Sequence, residues 1–447
     1  MTARSKYPVR MLRSLLILCC GPLLLAQTPP RVVSMDPKNG GTISAEQTEL
    51  VVVFDQDMYR GGRSVCGGGV TLPKVTGRLR WKGDRTLIVP VRLQPDHKYE
   101  LILNCPSSRT IRSKEGMKLT PTTWRFTTFP EKLRPWPEQE ARNKAALATL
   151  GQLVSERYAY RDRVVEDWQA VLQEHGGAVR NARTDRAFSV AAKDLLARAQ
   201  DSKVTLDYRG ERLPTWDPLI EPLYRTFAVR RLFELETISA RAFRGRTDDG
   251  IGYLLITGWH DNVDVERLVG ALTEMMDTRA LVIDVRPNMG GDERNALEFA
   301  RWFVAGDKVY AKERPLLPGG GLGDAVPRSI AGGAATYDRP VAVLSGPRVK
   351  RSCEAFVLMM RQGAGVQVVG QPTLGSSGEP VLYELGNGVS VELPGRQALR
   401  PDGTCYEGEG IAPDVFVPCT SRDLETGDPT LEKALALLRE RIKKGGG

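Results

Sequence analysis

Short apolar runs alternate with amphipathic stretches from about residue 250 onward, and this alternation limits the possible folds more than any other feature. The β-branched runs predict buried strands at 252–257, 280–284, 340–344 and 366–369. The stretches between them have apolar residues at helical spacing and predict helices at 263–276, 292–303 and 353–361. Such a strand–helix series indicates an α/β domain with a mostly parallel sheet, over 207–424. Shorter strands at 382–393 and 396–399 and a terminal helix at 430–444 complete it.

The segment over 30–129 has a different pattern, typical of an all-β sandwich. Short strand-forming runs are separated by glycine and proline turn signals. Phrases such as Val52-Val-Phe-Asp-Gln-Asp-Met58 and Trp124-Arg-Phe-Thr-Thr128 resemble those of the bacterial Ig-like domains of exported proteins. The sequence therefore predicts an Ig-like domain, a proline-rich linker at 130–140 and a helical segment at 141–206 that leads into the α/β domain.

The N-terminus predicts export. Four basic residues precede an apolar run at 15–25, as in a secretory signal peptide, which we place at 1–26. No later segment is long and apolar enough to span a membrane stably, so we expect a periplasmic or extracellular protein. Five cysteines follow the signal, and in an oxidising compartment Cys66 with Cys105, and Cys405 with Cys419, could form disulfides, leaving Cys353 unpaired.

Charge and ligand spacing exclude several function classes. The formal net charge of +9 is mild for 447 residues and is not arranged as a basic stripe with aromatics, which argues against nucleic-acid binding. Only three histidines exist, and no cysteine or histidine has zinc-ligand spacing, so we expect no metal and no cofactor. The expected partner is a peptide or protein, and the sequence does not determine the oligomeric state.

The motif that best indicates chemistry is Leu281-Val-Ile-Asp-Val-Arg-Pro-Asn-Met-Gly-Gly291, where a buried strand ends and two glycines precede a helix. Glycines allow close backbone approach, and N–H groups near a helix start stabilise negative charge. In an acyl-transfer enzyme, Gly290 and Gly291 would form an oxyanion hole. Asn288 would line the same cleft.

Three further phrases follow, at Ser352-Cys-Glu-Ala-Phe356, at Val368-Val-Gly-Gln-Pro-Thr-Leu-Gly-Ser-Ser-Gly378 and at 402–414. Together with the glycine motif, they resemble the C-terminal processing (tail-specific) serine peptidases in order and approximate spacing, over roughly 145–420. No PDZ-like segment is evident between 207 and 250, so the chain resembles the PDZ-less branch.

The resemblance implies a serine nucleophile and a base, and the chain departs from both. Arg351 stands where the family has its nucleophilic serine, and Ser352 lies one residue later. Lys203 stands where the PDZ-less branch has its histidine base, and Ser376 where the other branch has a lysine. Glu407 or Glu409 would correspond to the acid that orients the base.

Two interpretations remain open. In the first, Ser352 and Lys203 form a rebuilt nucleophile–base pair oriented by Glu407, which requires burial to lower the lysine pKa well below its usual value. In the second, Arg351 leaves a cationic cleft without catalysis, because arginine stays protonated and cannot act as a base. Under the first interpretation the protein is a serine peptidase-like hydrolase. Under the second it is an inactive homologue that binds peptides or serves as a scaffold.

Overall fold

The computed structural model describes residues 28–108, 110–333 and 336–445. The predicted signal peptide at 1–26 lies outside these residues. The chain divides into two compact units after Glu131. Among the described residues, no helix combines the length and the apolar character needed to cross a bilayer.

The first unit is a β-sandwich, as the sequence predicts. One sheet has the strand order β1-β3-β7-β5 with β6 also paired to β7, and the other has the order β2-β9-β8-β4. Side chains alternate between core and surface along the strands, and the core centres on Trp124, Leu50 and Phe126. A disulfide joins Cys66 to Cys105. The strands are β1 (Val32–Asp36), β2 (Gly41–Ile43), β3 (Glu49–Phe54), β4 (Val65–Cys66), β5 (Lys74–Val75), β6 (Arg80–Lys82), β7 (Thr86–Arg92), β8 (Lys98–Leu103) and β9 (Thr122–Thr128).

The second unit combines helices with three sheets. Its helices are α1 (Trp136–Arg157), α2 (Trp168–His175), α3 (Gly177–Arg180), α4 (Asp185–Leu196), α5 (Thr226–Arg230), α6 (Val265–Thr273), α7 (Glu293–Ala300), α8 (Ser352–Met360) and α9 (Pro429–Gly445). Its strands are β10 (Thr205–Tyr208), β11 (Glu211–Pro214), β12 (Glu236–Thr237), β13 (Ala242–Arg246), β14 (Ile251–Ile256), β15 (Ala280–Asp284), β16 (Lys308–Pro315), β17 (Val326–Ile330), β18 (Val341–Ser345), β19 (Val366–Gly370), β20 (Pro380–Glu384), β21 (Val389–Pro394), β22 (Arg396–Leu399) and β23 (Val415–Phe416).

The central sheet has seven strands in the order β12-β13-β14-β15-β18-β19-β23, and all pairs from β14 to β23 are parallel. This confirms the predicted α/β class. The central strands are buried on both faces, because Leu281 and Ile283 pack into one apolar cluster and Ala280 and Val282 into another. That burial explains why these strands are continuous apolar runs in the sequence.

A second sheet, in the order β11-β10-β21-β20, is antiparallel and packs one face on helices α1 and α4. The sequence predicts short strands around 382–393, and the structure has two there, β20 and β21, with a turn between Glu384 and Val389. A third sheet has the order β17-β16-β22.

Two expectations from the sequence need correction. Helix α1 begins at Trp136, within the segment predicted as a linker at 130–140, because Pro137 occupies the first helical turn, where its missing N–H costs no hydrogen bond. The thiols of Cys405 and Cys419 are free, so the second possible disulfide is not formed. Cys405 packs against the core beneath the four-stranded sheet, whereas the Cys419 thiol contacts the carbonyl of Thr420.

Candidate active site

Two loops that follow neighbouring parallel strands meet at one edge of the central sheet. The loop after β15 carries Gly290 and Gly291, and the loop after β18 leads through Arg351 into α8. A Cβ atom at Gly290 would lie 2.8 Å from the Cβ of Arg351 and 3.1 Å from the carbonyl oxygen of Lys350. Gly290 also has a φ of 98°, so both conformation and space require glycine here. This edge is where open α/β sheets bind ligands.

The motif residues Asp284 and Arg286 are structural. Arg286 is fully buried, and its guanidinium pairs with the carboxylates of Asp284 (2.6 Å) and Asp428 (2.7 Å). Tyr253 donates a further hydrogen bond to Asp284 at 2.8 Å. These contacts fix the end of β15, from which the glycine turn starts.

Arg351 occupies a strained backbone conformation immediately before α8. Its φ of 62° and ψ of −133° lie in a region that residues with a side chain seldom adopt, at a cost of about 1–3 kcal/mol. The Arg351 N–H donates to the carbonyl of Ser376 (3.1 Å) and to Oε2 of Glu354 (3.0 Å). These bonds hold the strained turn at the position where the family resemblance places the nucleophile.

Glu354 links the strained turn at Arg351 to the loop after β19 through hydrogen bonds. Its buried carboxylate accepts hydrogen bonds from the Thr373 hydroxyl (2.6 Å), the Gly375 N–H (2.6 Å) and the Ser376 N–H (3.0 Å), besides the one from Arg351. Burial raises the pKa of Glu354, and these donors oppose that effect. Glu354 therefore determines how this loop lies against the start of α8.

Ser352 is the first residue of α8 and is 8% exposed. Its hydroxyl donates to the carbonyl oxygen of Gly291, at 3.0 Å. Ser352 thus reaches the glycine turn through a carbonyl, which orients the hydroxyl without accepting its proton.

Lys203 is buried below the cleft, with 6% of its surface exposed. Its ammonium donates to the carbonyl of Gly378 at 3.0 Å. Burial, followed by the positive charge of Arg351, lowers the pKa of Lys203 to about 8. Within the described residues, no hydrogen bond joins Lys203 to Ser352, so the predicted pair is not assembled in this structure.

Glu407 belongs to a buried acidic cluster. Its carboxylate accepts hydrogen bonds from the Ser377 N–H (2.5 Å) and hydroxyl (2.6 Å), and Asp201 accepts one from Tyr158 (2.9 Å). Burial first, and the charge of Asp201 second, raise the pKa of Glu407 well above its usual value. Glu407 therefore orients Ser377, and its hydrogen bonds do not reach Lys203.

The remaining predicted cleft residues make local contacts. Ser376 shares a hydrogen bond with the Ser202 hydroxyl at 2.9 Å. Asn288 is buried, and its Oδ1 accepts the Gly290 N–H at 2.9 Å. Gly290 is therefore not a free oxyanion donor, contrary to the expectation from the sequence. The N–H groups of Gly291 and Ser352 are not engaged by any residue that the structure describes.

Positive charge gathers around Arg351, at the mouth of the cleft. Arg212 of β11 pairs with Glu392 of β21 across one face of the four-stranded sheet. Burial, followed by the charge of Arg212, lowers the pKa of Arg351. Burial and the charge of Arg351 also lower the pKa of Lys350. No sequence signal indicates Arg212 or Glu392, because strand pairing brings them here.

Cys353 does not supply a nucleophile. It is fully buried, and burial raises its thiol pKa well above the usual value. It therefore acts as a small apolar core residue.

Two family models match the chain. One, described as peptidase family S41, matches residues 250–417, and the other, described as a bacterial Ig-like domain, matches residues 26–128. Residues 250–417 are thus similar to a peptidase family S41 domain, and the Ig-like match precedes them along the chain. The membership in the PDZ-less branch stays a prediction.

Curated relatives of the S41 domain include C-terminal processing peptidases. A probable CtpA-like serine protease of Staphylococcus haemolyticus is 26% identical over 181 residues, which cover 40% of this chain and 36% of the relative. Carboxyl-terminal-processing peptidase 3, chloroplastic, of Arabidopsis thaliana is 26% identical over 200 residues, covering 43% of this chain and 37% of the relative. This chain thus spans little more than a third of the length of these relatives.

Solved structures share the fold. A candidate peptidase from Parabacteroides merdae superposes with a TM-score of 0.61 at 23% identity, over 67% of this chain and 96% of that one. Mature CPAF in complex with lactacystin superposes with a TM-score of 0.54 at 13% identity, over 68% of this chain and all of that one.

Proposed function

We propose that this S41 homologue is an exported peptide-binding protein that has lost peptide-bond hydrolysis. The observation that carries the proposal is the arginine at the strained turn before α8. The Arg351 Cβ faces the glycine turn, where a nucleophilic serine would carry its hydroxyl, and arginine offers no nucleophile there because its side chain stays protonated.

The neighbouring hydroxyl does not replace the missing nucleophile. A serine hydroxyl attacks only when an adjacent base takes its proton. Ser352 donates to the Gly291 carbonyl, and Lys203 donates to the Gly378 carbonyl, so each group has another partner. Reaction would require both hydrogen bonds to break.

The cleft itself supports continued peptide binding. Glu354 holds the loop after β19 and the strained turn together through four hydrogen bonds. The N–H groups of Gly291 and Ser352 are not engaged by described residues and suit a carbonyl or carboxylate oxygen. A site that no longer bound a ligand would not need these hydrogen bonds to hold the two loops in place.

A fluorophosphonate probe, which labels activated serines, tests the loss of hydrolysis. We expect no labelling of the wild-type protein and none of Ser352→Ala. Arg351→Ser combined with Lys203→His restores the residues that the family resemblance implies, and we expect labelling of this double variant. Labelling of the wild type that disappears in Ser352→Ala would overturn the proposal.

One observation favours a second candidate, in which Ser352 and Lys203 form an active pair. Burial lowers the Lys203 pKa to about 8, within reach of the value that a lysine base needs at neutral pH. Peptide hydrolysis would then rise as pH increases through about 8. Lys203→Ala and Ser352→Ala would each abolish it.

A further inference from the structure

The cations at the mouth of the cleft have few counter-charges. Among the described residues, the side chains of Arg351 and Lys350 form no salt bridge, and Arg348 contacts only the Met289 sulfur, at 3.7 Å. Asp217 acts on Lys350 through its charge but forms no ion pair with it. These three cations lie within four residues of one loop.

The nearby acids do not neutralise this charge. Glu392 of β21 acts on Arg351 through its charge, but it is already paired with Arg212 of β11. Glu354 and Glu407 are buried beneath the cleft, where four and two hydrogen bonds respectively occupy their carboxylates. The cleft mouth therefore has an excess of positive charge, and the exposed side chain of Arg351 is accessible to an anion from solvent.

We infer that the peptide held in this cleft presents a carboxylate to the guanidinium of Arg351. This inference rests on the proposed peptide binding and names the chemistry of the ligand. A carboxylate matches the planar fork of an arginine with two parallel hydrogen bonds. Lys350 and Arg348 add long-range attraction, and the N–H groups of Gly291 and Ser352, which no described residue engages, add hydrogen-bond donors.

The carboxylate has two sources, an Asp or Glu side chain or the free C-terminus of the peptide. Four octapeptides separate them, all carrying a neutral fluorophore on the N-terminal amine: alternating Ala–Glu, Ala–Gln and Ala–Lys peptides with amidated C-termini, and the Ala–Gln peptide with a free C-terminus. Alternation places every charged side chain on one face of an extended peptide, so the result does not depend on register.

Fluorescence anisotropy measures binding to the full chain and to two variants. Arg351→Gln removes the proposed anchor, and Arg267→Gln removes an arginine of α6 whose side chain is 72% exposed, as the matched control. We expect the Ala–Glu peptide to bind about tenfold more tightly than the Ala–Gln peptide, and Arg351→Gln to remove that preference, as for other partly buried charge pairs. Arg267→Gln should leave it unchanged.

The outcomes separate this inference from the proposed function. If the Ala–Gln peptide with a free C-terminus binds more tightly than its amidated form, the amidated Ala–Glu peptide does not, and the gain depends on Arg351, the carboxylate is the C-terminus of the peptide. Equal affinity for Ala–Glu and Ala–Gln, with no effect of Arg351→Gln or of the free C-terminus, overturns the inference and leaves peptide binding intact. If the wild type and both variants are folded, as cooperative urea unfolding would show, and none of them binds any of the peptides, peptide binding itself is overturned.

Discussion

The hydroxyl of Ser352 points at the carbonyl oxygen of Gly291, 3.0 Å away, and so links α8 to the glycine turn. A nucleophilic serine needs a proton acceptor at this distance, and a backbone carbonyl is not one. The bond instead joins the two loops that form the cleft. In this position, Ser352 has a structural role that can be measured.

We expect Ser352→Ala to lower the free energy of unfolding by about 1 kcal/mol, because it removes one largely buried hydrogen bond. Urea unfolding measures the change, and Ser329→Ala, at an exposed position of β17, serves as control. Peptide affinity should stay the same in both variants. A large loss of peptide affinity in Ser352→Ala would contradict the structural role.

Arg351→Gly should make the protein more stable, by about 1 kcal/mol, because glycine adopts a φ of 62° without the strain of a side chain. Arg348→Gly is the matched control. Arg348 is not among the residues with positive φ, so we expect a loss of about 0.5–1 kcal/mol from the greater backbone entropy of the unfolded chain. A loss of stability in Arg351→Gly would mean that contacts of the side chain outweigh the strain.

The sequence predicts the four central strands β14, β15, β18 and β19 because they are buried on both faces. Such strands appear as continuous apolar runs, and the topology then requires the loops after β15 and β18 to meet. The sequence does not predict the less buried outer strands β12, β13 and β23 of the same sheet. The start of α1 is missed, although Trp136-Pro137 is a signal for a helix start that was available in the sequence. The two disulfide candidates show the limit of spacing arguments, since only Cys66 and Cys105 are brought together by strand pairing.

The candidate site is predictable in its membership but not in its contacts. Local sequence gives the one-residue offset between Arg351 and Ser352, but it does not give the φ of Arg351 or the direction of the Ser352 hydroxyl. Those depend on the Glu354 hydrogen bonds, which join segments about twenty residues apart. The Arg212–Glu392 pair spans 180 residues, so only the folded sheet reveals it.

Glu354→Gln should strongly destabilise the second unit. A glutamine would turn an N–H group towards backbone donors that now bond to a carboxylate oxygen, leaving at least one buried donor unsatisfied. We expect a loss of roughly 2–4 kcal/mol in the free energy of unfolding, since these bonds involve a buried charged group. Glu298→Gln, on the exposed side of α7, should change stability by less than about 0.5 kcal/mol. Similar effects of the two substitutions in urea unfolding would contradict the positioning role of Glu354.

The buried lysine predicts a pH dependence of stability with a definite sign. The pKa of Lys203 is about 8 in the folded protein, against 10.5 for a free lysine side chain. Between these values the unfolded chain holds a proton that the folded protein has lost, so stability rises with pH in this range. The gain reaches roughly 2–3 kcal/mol by pH 10.5, at about 1.36 kcal/mol for each pH unit.

Lys203→Met isolates this contribution, because methionine has a similar length and no charge. We expect the difference in unfolding free energy between Lys203→Met and the wild type to be largest below pH 8 and to shrink as pH rises towards 10.5. Urea unfolding at a series of pH values measures it, with Lys144→Met, at a lysine whose side chain is 59% exposed, as control. A difference that stays constant across this range would show that Lys203 does not titrate there. Lys203 would then also stay protonated at neutral pH and could not take the proton of Ser352.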